Sequence, residues 1–178
     1  GNPSLRYQFL WGLELSGCVG ASTGWTPRYV LWERAGELIG AVAAYIKDHS
    51  QGEFIFDWSW ADAAHRVGFP YYPKLTVMSP FTPISSDKLL VNQELVTAGE
   101  HLQVQQALIG ALKSLAREEA LTGVHLLFTS DAEAQPLECE GLLLRHTLQF
   151  QWNNEGYRTF DDFLARFRSK RRNQIRRE

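Results

Sequence analysis

The chain has 178 residues, which fits one domain of ordinary size or half of a larger protein. Hydrophobic residues make up 44% of it, enough for a packed core, and charged residues make up 21%. The formal net charge of -2 excludes a globally basic nucleic-acid binder, and no window approaches the ~18 apolar residues of a membrane span.

The charge is unevenly distributed along the chain. Residues 166–178 contain seven of the 18 Lys and Arg residues and one of the 20 acidic residues. This last stretch therefore carries +6 and the preceding chain -8. Such an asymmetry is typical of an interaction segment or of a solvated helix end.

Periodicity and turn signals predict alternating helices and strands in the first half of the chain. Asn2 and Pro3 have the residue types of a helix cap and first helical position. The glycine-rich stretch 17–25 is typical of a loop. The predicted elements are, in chain order, a helix ending near Gly17, hairpin strands at 28–34 and 37–47, a strand at 54–56 and a helix at 59–67.

The second half of the chain continues this alternation. Thr159 with Asp162 three residues later predicts the start of a last helix. The other predicted elements are strands at 74–78 and 88–92, a long helix at 98–121, a strand at 124–128, a helix at 131–140 and a strand at 143–152. This order indicates an α+β (mixed α/β) domain.

Residues 56–83 form the most distinctive segment. Seven of these positions are aromatic and four are proline, with Asp57 and Asp62 among them. Aromatic rings supply apolar area, prolines fix the backbone, and desolvation could shift the acidity of the carboxylates. The composition predicts either a rigid pocket wall or a long loop folded over the core.

Several common signatures are absent from the sequence. It contains no G-x-S-x-G elbow, H-E-x-x-H, Walker-type loop, dinucleotide-binding G-x-G-x-x-G or C-x-x-C. The five histidines lack ligand-like spacing, so we expect no metal site, and His125 in an apolar strand is either a satisfied core residue or catalytic. The two cysteines, Cys18 and Cys139, form no disulfide framework, which fits a cytoplasmic protein.

Six blocks of the sequence resemble one family in their order along the chain. They read GWTPRYVLWE, GEFIFDWSWADAAHRVGFPYYPKL, SPFTPIS, GVHLLF, LQFQWNNEGY and FDDFLARFRSKRRNQIRRE. Together they resemble the FemAB-like bacterial proteins, N-acyltransferases of the GNAT superfamily linked to peptidoglycan. The resemblance implies a GNAT-like half, with a mixed, mostly antiparallel sheet flanked by helices. It also implies that residues 1–158 form this half and that a basic helix at 159–178 leads into a missing C-terminal half.

The resemblance implies transfer of an acyl or aminoacyl group from acyl-CoA or aminoacyl-tRNA to an amine of a peptidoglycan precursor. Such a reaction needs a base for the amine proton and a donor for the oxyanion. The candidate catalytic residues are Asp57 and Asp62 as base and Tyr71 and Tyr72 as proton donors. The candidate substrate-binding residues are Trp58, Trp60, Lys74 as an anion contact, Phe81, Thr82 and His125.

Two features qualify this expectation. GNAT enzymes usually bind the CoA pyrophosphate through a glycine-bearing turn, whereas the corresponding stretch SPFTPISSDK has two prolines and no glycine. The basic end offers an anion site for tRNA or a pyrophosphate-bearing lipid precursor, or packs on the missing half. Its candidate residues are Arg168, Lys170, Arg171 and Arg172. If the protein is an enzyme, we expect this fragment to be inactive in isolation. The alternative is a non-catalytic binding module, in which a degenerate acyltransferase fold recognises an anionic or cell-wall ligand.

Overall fold

A computed structural model describes residues 2–178 of the chain. These residues form two compact units, with the boundary between Leu144 and Arg145. The helices of the first unit are α1 (Tyr7–Leu15), α2 (Trp58–Arg66), α3 (Ala98–Glu118) and α4 (Ala134–Cys139). Its strands are β1 (Trp25–Pro27), β2 (Val30–Arg34), β3 (Glu37–Val42), β4 (Ala44–Lys47), β5 (Lys74–Val77), β6 (Leu90–Val91) and β7 (Val124–Leu126).

The strands of the first unit form two sheets. The larger sheet has the order β1-β4-β5-β7, in which β5 and β7 are parallel and the other neighbours antiparallel. The smaller sheet is antiparallel, with the order β2-β3-β6. The chain passes from one sheet to the other at Ala43, between β3 and β4. This mixture of helices and mostly antiparallel strands confirms the predicted α+β class.

Helix α3 covers one face of both sheets. It begins with a capping box, in which the Glu100 side chain accepts from the Thr97 amide, and this satisfies backbone groups at the helix start. Its apolar face packs into the main core, whose buried members include Ile39, Val42, Ala44, Leu75, Val77, Leu108, Ile109 and Leu112. Burial of about 1.5–3 kcal/mol per large aliphatic side chain makes this helix the main anchor of both sheets.

A second, smaller core lies on the other side of the larger sheet. It contains Val19, Trp25, Ala43, Tyr45, Met78 and Leu127, with residues of α1 packed against it. Trp25 and Tyr45 meet edge to face, with ring centroids 5.4 Å apart. The larger sheet is therefore covered on both faces near its centre, which leaves its strand ends for polar groups.

The second unit contains α5 (Phe160–Ala165) and α6 (Ser169–Ile175). Helix α5 starts at the capping box that the sequence predicts, since the Asp162 amide donates to Thr159 Oγ1 and the Asp162 carboxylate accepts from the Thr159 amide. The predicted division at residue 158 into an acyltransferase-like half and a basic helix stays a prediction. Within residues 2–178, no helix is long and apolar enough to cross a membrane.

Four predicted elements differ from the structure. The strand at 54–56 is wrong, because Phe54 has φ 59°, a left-handed conformation incompatible with strand pairing. The second hairpin strand is interrupted at Ala43, where the chain changes sheets. The strand at 143–152 is also wrong: among the described residues it has no pairing partner, and Leu143 and Phe150 are 93% and 91% exposed. The last helix is two helices, because Arg168 adopts an extended conformation as the N-cap of α6.

Candidate functional site

The candidate site lies on the face of the larger sheet opposite α3, where β4, β5 and β7 run side by side. Strand alternation turns Leu75 and Val77 toward the α3 core and Lys74 and Thr76 to the other face. Lys47 is the register partner of Lys74, and His125 is the partner of Thr76 in the parallel pair. Three strands thus bring two lysines, a threonine and a histidine to the same face.

Lys74 is the centre of a buried ionic cluster with Glu53 and Asp57, hereafter the lysine–carboxylate cluster. Its Nζ donates to Glu53 Oε2 at 2.8 Å and to Asp57 Oδ2 at 2.6 Å. The side chains of Lys74 and Glu53 are 0% exposed and that of Asp57 is 4% exposed. Thr76 Oγ1 donates to the second Glu53 oxygen at 3.3 Å. One cation therefore holds two carboxylates away from water, an arrangement stable only while all three partners remain.

Burial sets the electrostatics of the groups around this cluster. Desolvation raises the pKa of the Glu53 carboxyl, although its hydrogen bond and charge interaction with Lys74 act in the opposite direction. Desolvation also lowers the pKa of Lys47 to about 8, against the attraction of Glu53 and Asp48. The Lys47 Nζ lies 3.8 Å from the centroid of the Trp25 ring and donates to the carbonyl of Gln51 at 3.2 Å.

Turns in residues 50–57 carry the two carboxylates to Lys74. Gly52 has φ 79°, and a Cβ at this position would lie 2.7 Å from the Phe81 ring, so both the turn and the close approach require glycine. Ser50 Oγ hydrogen-bonds the Tyr72 hydroxyl and accepts from the Asp57 amide at 3.4 Å. Ser50 therefore ties the segment before α2 to the segment before β5.

His125 gives the cluster a partly exposed neighbour. Its Nδ1 lies 3.7 Å from Asp57 Oδ2, an ion-pair separation longer than a hydrogen bond, and its side chain is 28% exposed. The Tyr71 ring meets the imidazole edge to face, with centroids 5.9 Å apart. Because Asp57 is buried and His125 reaches the surface, the imidazole is the group through which an external molecule can approach the cluster.

The structure brings together several of the predicted site residues. Asp57, Lys74 and His125 meet in or beside the cluster, and the Tyr71 and Tyr72 ring centroids lie 5.8 and 5.7 Å from the Lys74 Nζ. Phe81 also reaches this end of the sheet, because its ring packs against Trp25 at 5.2 Å. The roles assigned to these residues stay predictions.

The other predicted residues lie at the surface or within a loop. Asp62 is exposed and pairs with Arg66 across one turn of α2 at 2.6 Å. Trp58 and Trp60 are 64% and 52% exposed. The Thr82 hydroxyl donates to the carbonyl of Pro80 within the loop after β5. A loop-internal hydroxyl and two exposed rings can contact a ligand only at the rim of the site.

The anion-binding candidates belong to the second unit. Arg168 is the N-cap of α6, and Lys170, Arg171 and Arg172 lie within it. Arg171 donates to Gln174 at 2.7 Å, one turn further along the helix. The basic residues thus form a short charged helix, whose anion-binding role stays a prediction.

Sequence reasoning missed Glu53, Lys47, Trp25 and Ser50. Glu53 sits in an apolar context, GEFIF, which suggested a strand rather than a turn. The glycine before it was the available signal, because a glycine next to a carboxylate often marks a turn. Among the described residues, no group of three or more His, Cys, Asp or Glu side chains is placed to hold a metal ion.

Fold and site together define an α+β protein with a buried ionic cluster that meets the surface at one histidine. The sequence profile of the FemAB-like family, described as peptidoglycan biosynthesis/recognition, matches residues 1–178. The match spans the whole chain, so the protein belongs to the FemAB-like family, and its role is related to peptidoglycan. No curated protein matches the chain.

Proposed function

We propose that the protein is an N-acyltransferase acting on an amine of a peptidoglycan precursor, with His125 as the proton acceptor and Asp57 as its positioning residue. The observation that carries this proposal is the 3.7 Å separation between His125 Nδ1 and the buried Asp57 carboxylate. A carboxylate beside one ring nitrogen favours the tautomer with the proton on that nitrogen, in which the other nitrogen carries the lone pair that can accept a proton. This refines the prediction of Asp57 as the base, because that carboxylate is too buried to meet an amine.

The proposed reaction is direct transfer. The amine nitrogen forms a bond to the carbonyl carbon of the donor, and the bond from that carbon to the thiolate or ribose oxygen breaks. His125 Nε2 takes the proton that the nitrogen loses and returns it to the leaving group. The Tyr71 and Tyr72 hydroxyls are the candidate donors to the oxyanion.

Lys74 and Glu53 support this step without touching substrate. Lys74 Nζ holds Asp57 Oδ2 at 2.6 Å and so fixes the carboxylate that faces the imidazole. Glu53 accepts a second hydrogen bond from the Lys74 ammonium, at 2.8 Å, and so helps to fix its position. Holding a base in one orientation removes a reorganisation step from the barrier, which is why the buried cluster matters for rate.

The loop after β5 is a poor site for a CoA pyrophosphate. The amide of Thr82 donates to Ser79, that of Ile84 to Thr82, and that of Ser86 to Phe128. The prolines at 80 and 83 have no amide hydrogen to donate. With these donors used or missing, we expect an aminoacyl ester rather than acyl-CoA as donor, and α6 as a contact for the tRNA phosphates.

The second candidate function is recognition of a cell-wall precursor without turnover. It is favoured by exposed aromatic side chains beside the cluster, of which Phe56 and Trp58 stack with centroids 4.6 Å apart. Such rings suit a ligand with apolar faces. The two candidates differ in a simple observable, since a recognition module binds the precursor and returns it unchanged.

The test is mass-spectrometric detection of amide formation by the full-length protein, with aminoacyl-tRNA and acyl-CoA as alternative donors. We expect His125→Gln and Asp57→Asn each to slow transfer by roughly 10²–10⁴-fold, the usual contribution of a general base. Asp62→Asn is the matched control and should retain the rate. Precursor binding without a new amide bond would establish the recognition function instead, and equal losses in all three variants would contradict the assignment.

A further inference from the structure

The second unit contains a cavity that the proposed reaction does not use. Its volume is about 470 Å³, within the range of small-molecule sites. Four aromatic side chains form its walls, with Arg158 and Thr159 completing the lining. The aromatic members, hereafter the aromatic box, are Trp152, Tyr157, Phe160 and Phe163.

The rings of the aromatic box are arranged around a shared space. Phe163 meets Trp152 and Tyr157 edge to face, with centroids 6.0 and 5.5 Å away and interplanar angles of 77° in both pairs. Trp152 and Tyr157 are 6.1 Å apart and tilted by 30°. Phe160 continues the wall at 6.1 Å from Phe163. Ring faces and ring edges thus line one cavity rather than packing into a closed core.

Local hydrogen bonds fix the backbone beneath these rings. Asn154 Oδ1 accepts from the amides of Gly156 and Tyr157, which shapes the turn that presents Tyr157. Asp162 Oδ2 accepts from the amides of Arg158 and Thr159. The cavity wall is therefore held by side-chain caps on both sides, so a ligand does not need to order it first.

The charge of the lining selects the kind of ligand. Arg166 also approaches the Tyr157 ring, but it pairs with Glu155. Arg158 lines the cavity, and its guanidinium forms no ion pair within residues 2–178. A cationic ligand, the usual occupant of an aromatic cage, would meet this fixed positive charge. A ligand with an apolar ring face and an anionic substituent satisfies both the rings and Arg158.

From this lining we infer that the aromatic box binds an amino-sugar ring that carries a carboxylate. The C–H face of a pyranose stacks on an aromatic ring, and Arg158 pairs with the acidic substituent. The inference rests on the family's relation to peptidoglycan and not on the acyl-transfer chemistry. It describes a glycan site in the second unit, separate in sequence from the cluster at Lys74.

The test uses two sugars that differ only in an acidic lactyl group, N-acetylmuramic acid and N-acetylglucosamine. We expect saturable binding of both to the purified protein by titration calorimetry, in roughly the millimolar range, with the acidic sugar preferred. Arg158→Gln should weaken binding of the acidic sugar roughly tenfold and leave the affinity for the neutral sugar unchanged. Arg158→Lys should restore part of the preference.

Trp152→Ala should abolish binding of both sugars, whereas Trp11→Ala should preserve it as the matched control. Trp11 is 52% exposed on α1 and Trp152 is 62% exposed, so the two losses of ring surface are comparable. Absence of saturable binding, or equal weakening of both sugars by Arg158→Gln, would overturn the inference. So would a dimer in sedimentation that Trp152→Ala dissociates, since a second copy would then fill the box. Acyl transfer has a separate readout, so failure here leaves that proposal standing.

Discussion

Replacing Lys74 with methionine should destabilise the protein strongly. The substitution keeps a long apolar stem but removes the ammonium group that donates to both Glu53 and Asp57, whose side chains are 0% and 4% exposed. Breaking a buried pair in this way costs about 3–5 kcal/mol, because a charge is left uncompensated. For a chain of this length each kcal/mol lowers the Tm by about 2–4 °C, which gives a fall of about 6–20 °C.

Urea denaturation at neutral pH measures this loss, and Lys113→Met is the matched control. Lys113 donates to the Glu140 carbonyl at 2.7 Å and pairs with the Glu140 carboxylate at 3.5 Å, with side chains 32% and 27% exposed, so its loss should cost only about 1–2 kcal/mol. The deficit of Lys74→Met should shrink on acidification, because protonation neutralises the two stranded carboxylates. Equal effects of the two substitutions, or a deficit independent of pH, would refute the reasoning.

Three further predictions concern the surroundings of the cluster and the buried carboxylate of Glu133. The stability of the wild type should rise between about pH 8 and 9.5. The pKa of Lys47 is about 8 in the folded state and 10.5 ordinarily, so in this pH range the folded protein binds fewer protons than the unfolded chain. Lys47→Met should reduce that rise in urea titrations, and an unchanged slope would contradict it. Glu133 Oε1 accepts from the buried amides of Lys88 and Leu89, while Oε2 has no hydrogen-bond partner within residues 2–178. Glu133→Gln should therefore change stability by less than ~1 kcal/mol, and Glu133→Ala should lower it by about 2–4 kcal/mol. Similar losses in both variants would be inconsistent with the role of Oε1. Gly52→Ala should lower stability by about 2–4 kcal/mol, from backbone strain and contact with Phe81, whereas Gly36→Ala, with open space around it, should lose only about 1–2 kcal/mol. Equal thermal shifts for the two glycine variants would contradict the close approach.

The pH dependence on the acidic side also originates in burial, but stability there changes with pH in the opposite direction. Burial raises the pKa of both Glu53 and Glu133. A raised folded-state pKa gives stability that is complete below the unfolded value and is lost as the pH rises through the folded value. We therefore expect mild acidification from neutral pH to stabilise the protein, measured as an increase in Tm. A Tm that falls steadily from pH 7 downward would contradict this.

The sequence predicted those parts of the fold that local patterns determine. The long helix α3 follows from its apolar stripe, and the β2–β3 hairpin follows from the turn Ala35-Gly36. The change of sheets at Ala43 leaves no local signal, since Ala44 and Ile46 continue an apolar pattern that fits either sheet. The segment 143–152 has the composition of a strand, yet strand formation needs a partner that composition does not reveal.

The site was predictable only in part for a similar reason. Asp57 and Lys74 were named as candidates through the family resemblance, and the structure joins them at 2.6 Å. Glu53 was overlooked because the apolar run that follows it, residues 54–56, has the composition of a strand, while the left-handed Phe54 and the turn at Gly52 determine its actual course. His125 lies close to Asp57 because β5 and β7 pair in parallel. This pairing joins segments that are distant in the sequence, so local patterns do not predict it.

A double-mutant cycle between Asp57 and His125 tests the central claim most directly. Acyl-transfer rates of the full-length protein would be compared for the wild type, Asp57→Asn, His125→Gln and the double variant, at a temperature where circular dichroism shows all four folded. If Asp57 acts through His125, the double variant loses no more rate than His125→Gln alone, because residues that act as a unit are non-additive. Losses that multiply in the double variant, or a His125→Gln protein with the wild-type rate, would contradict the account.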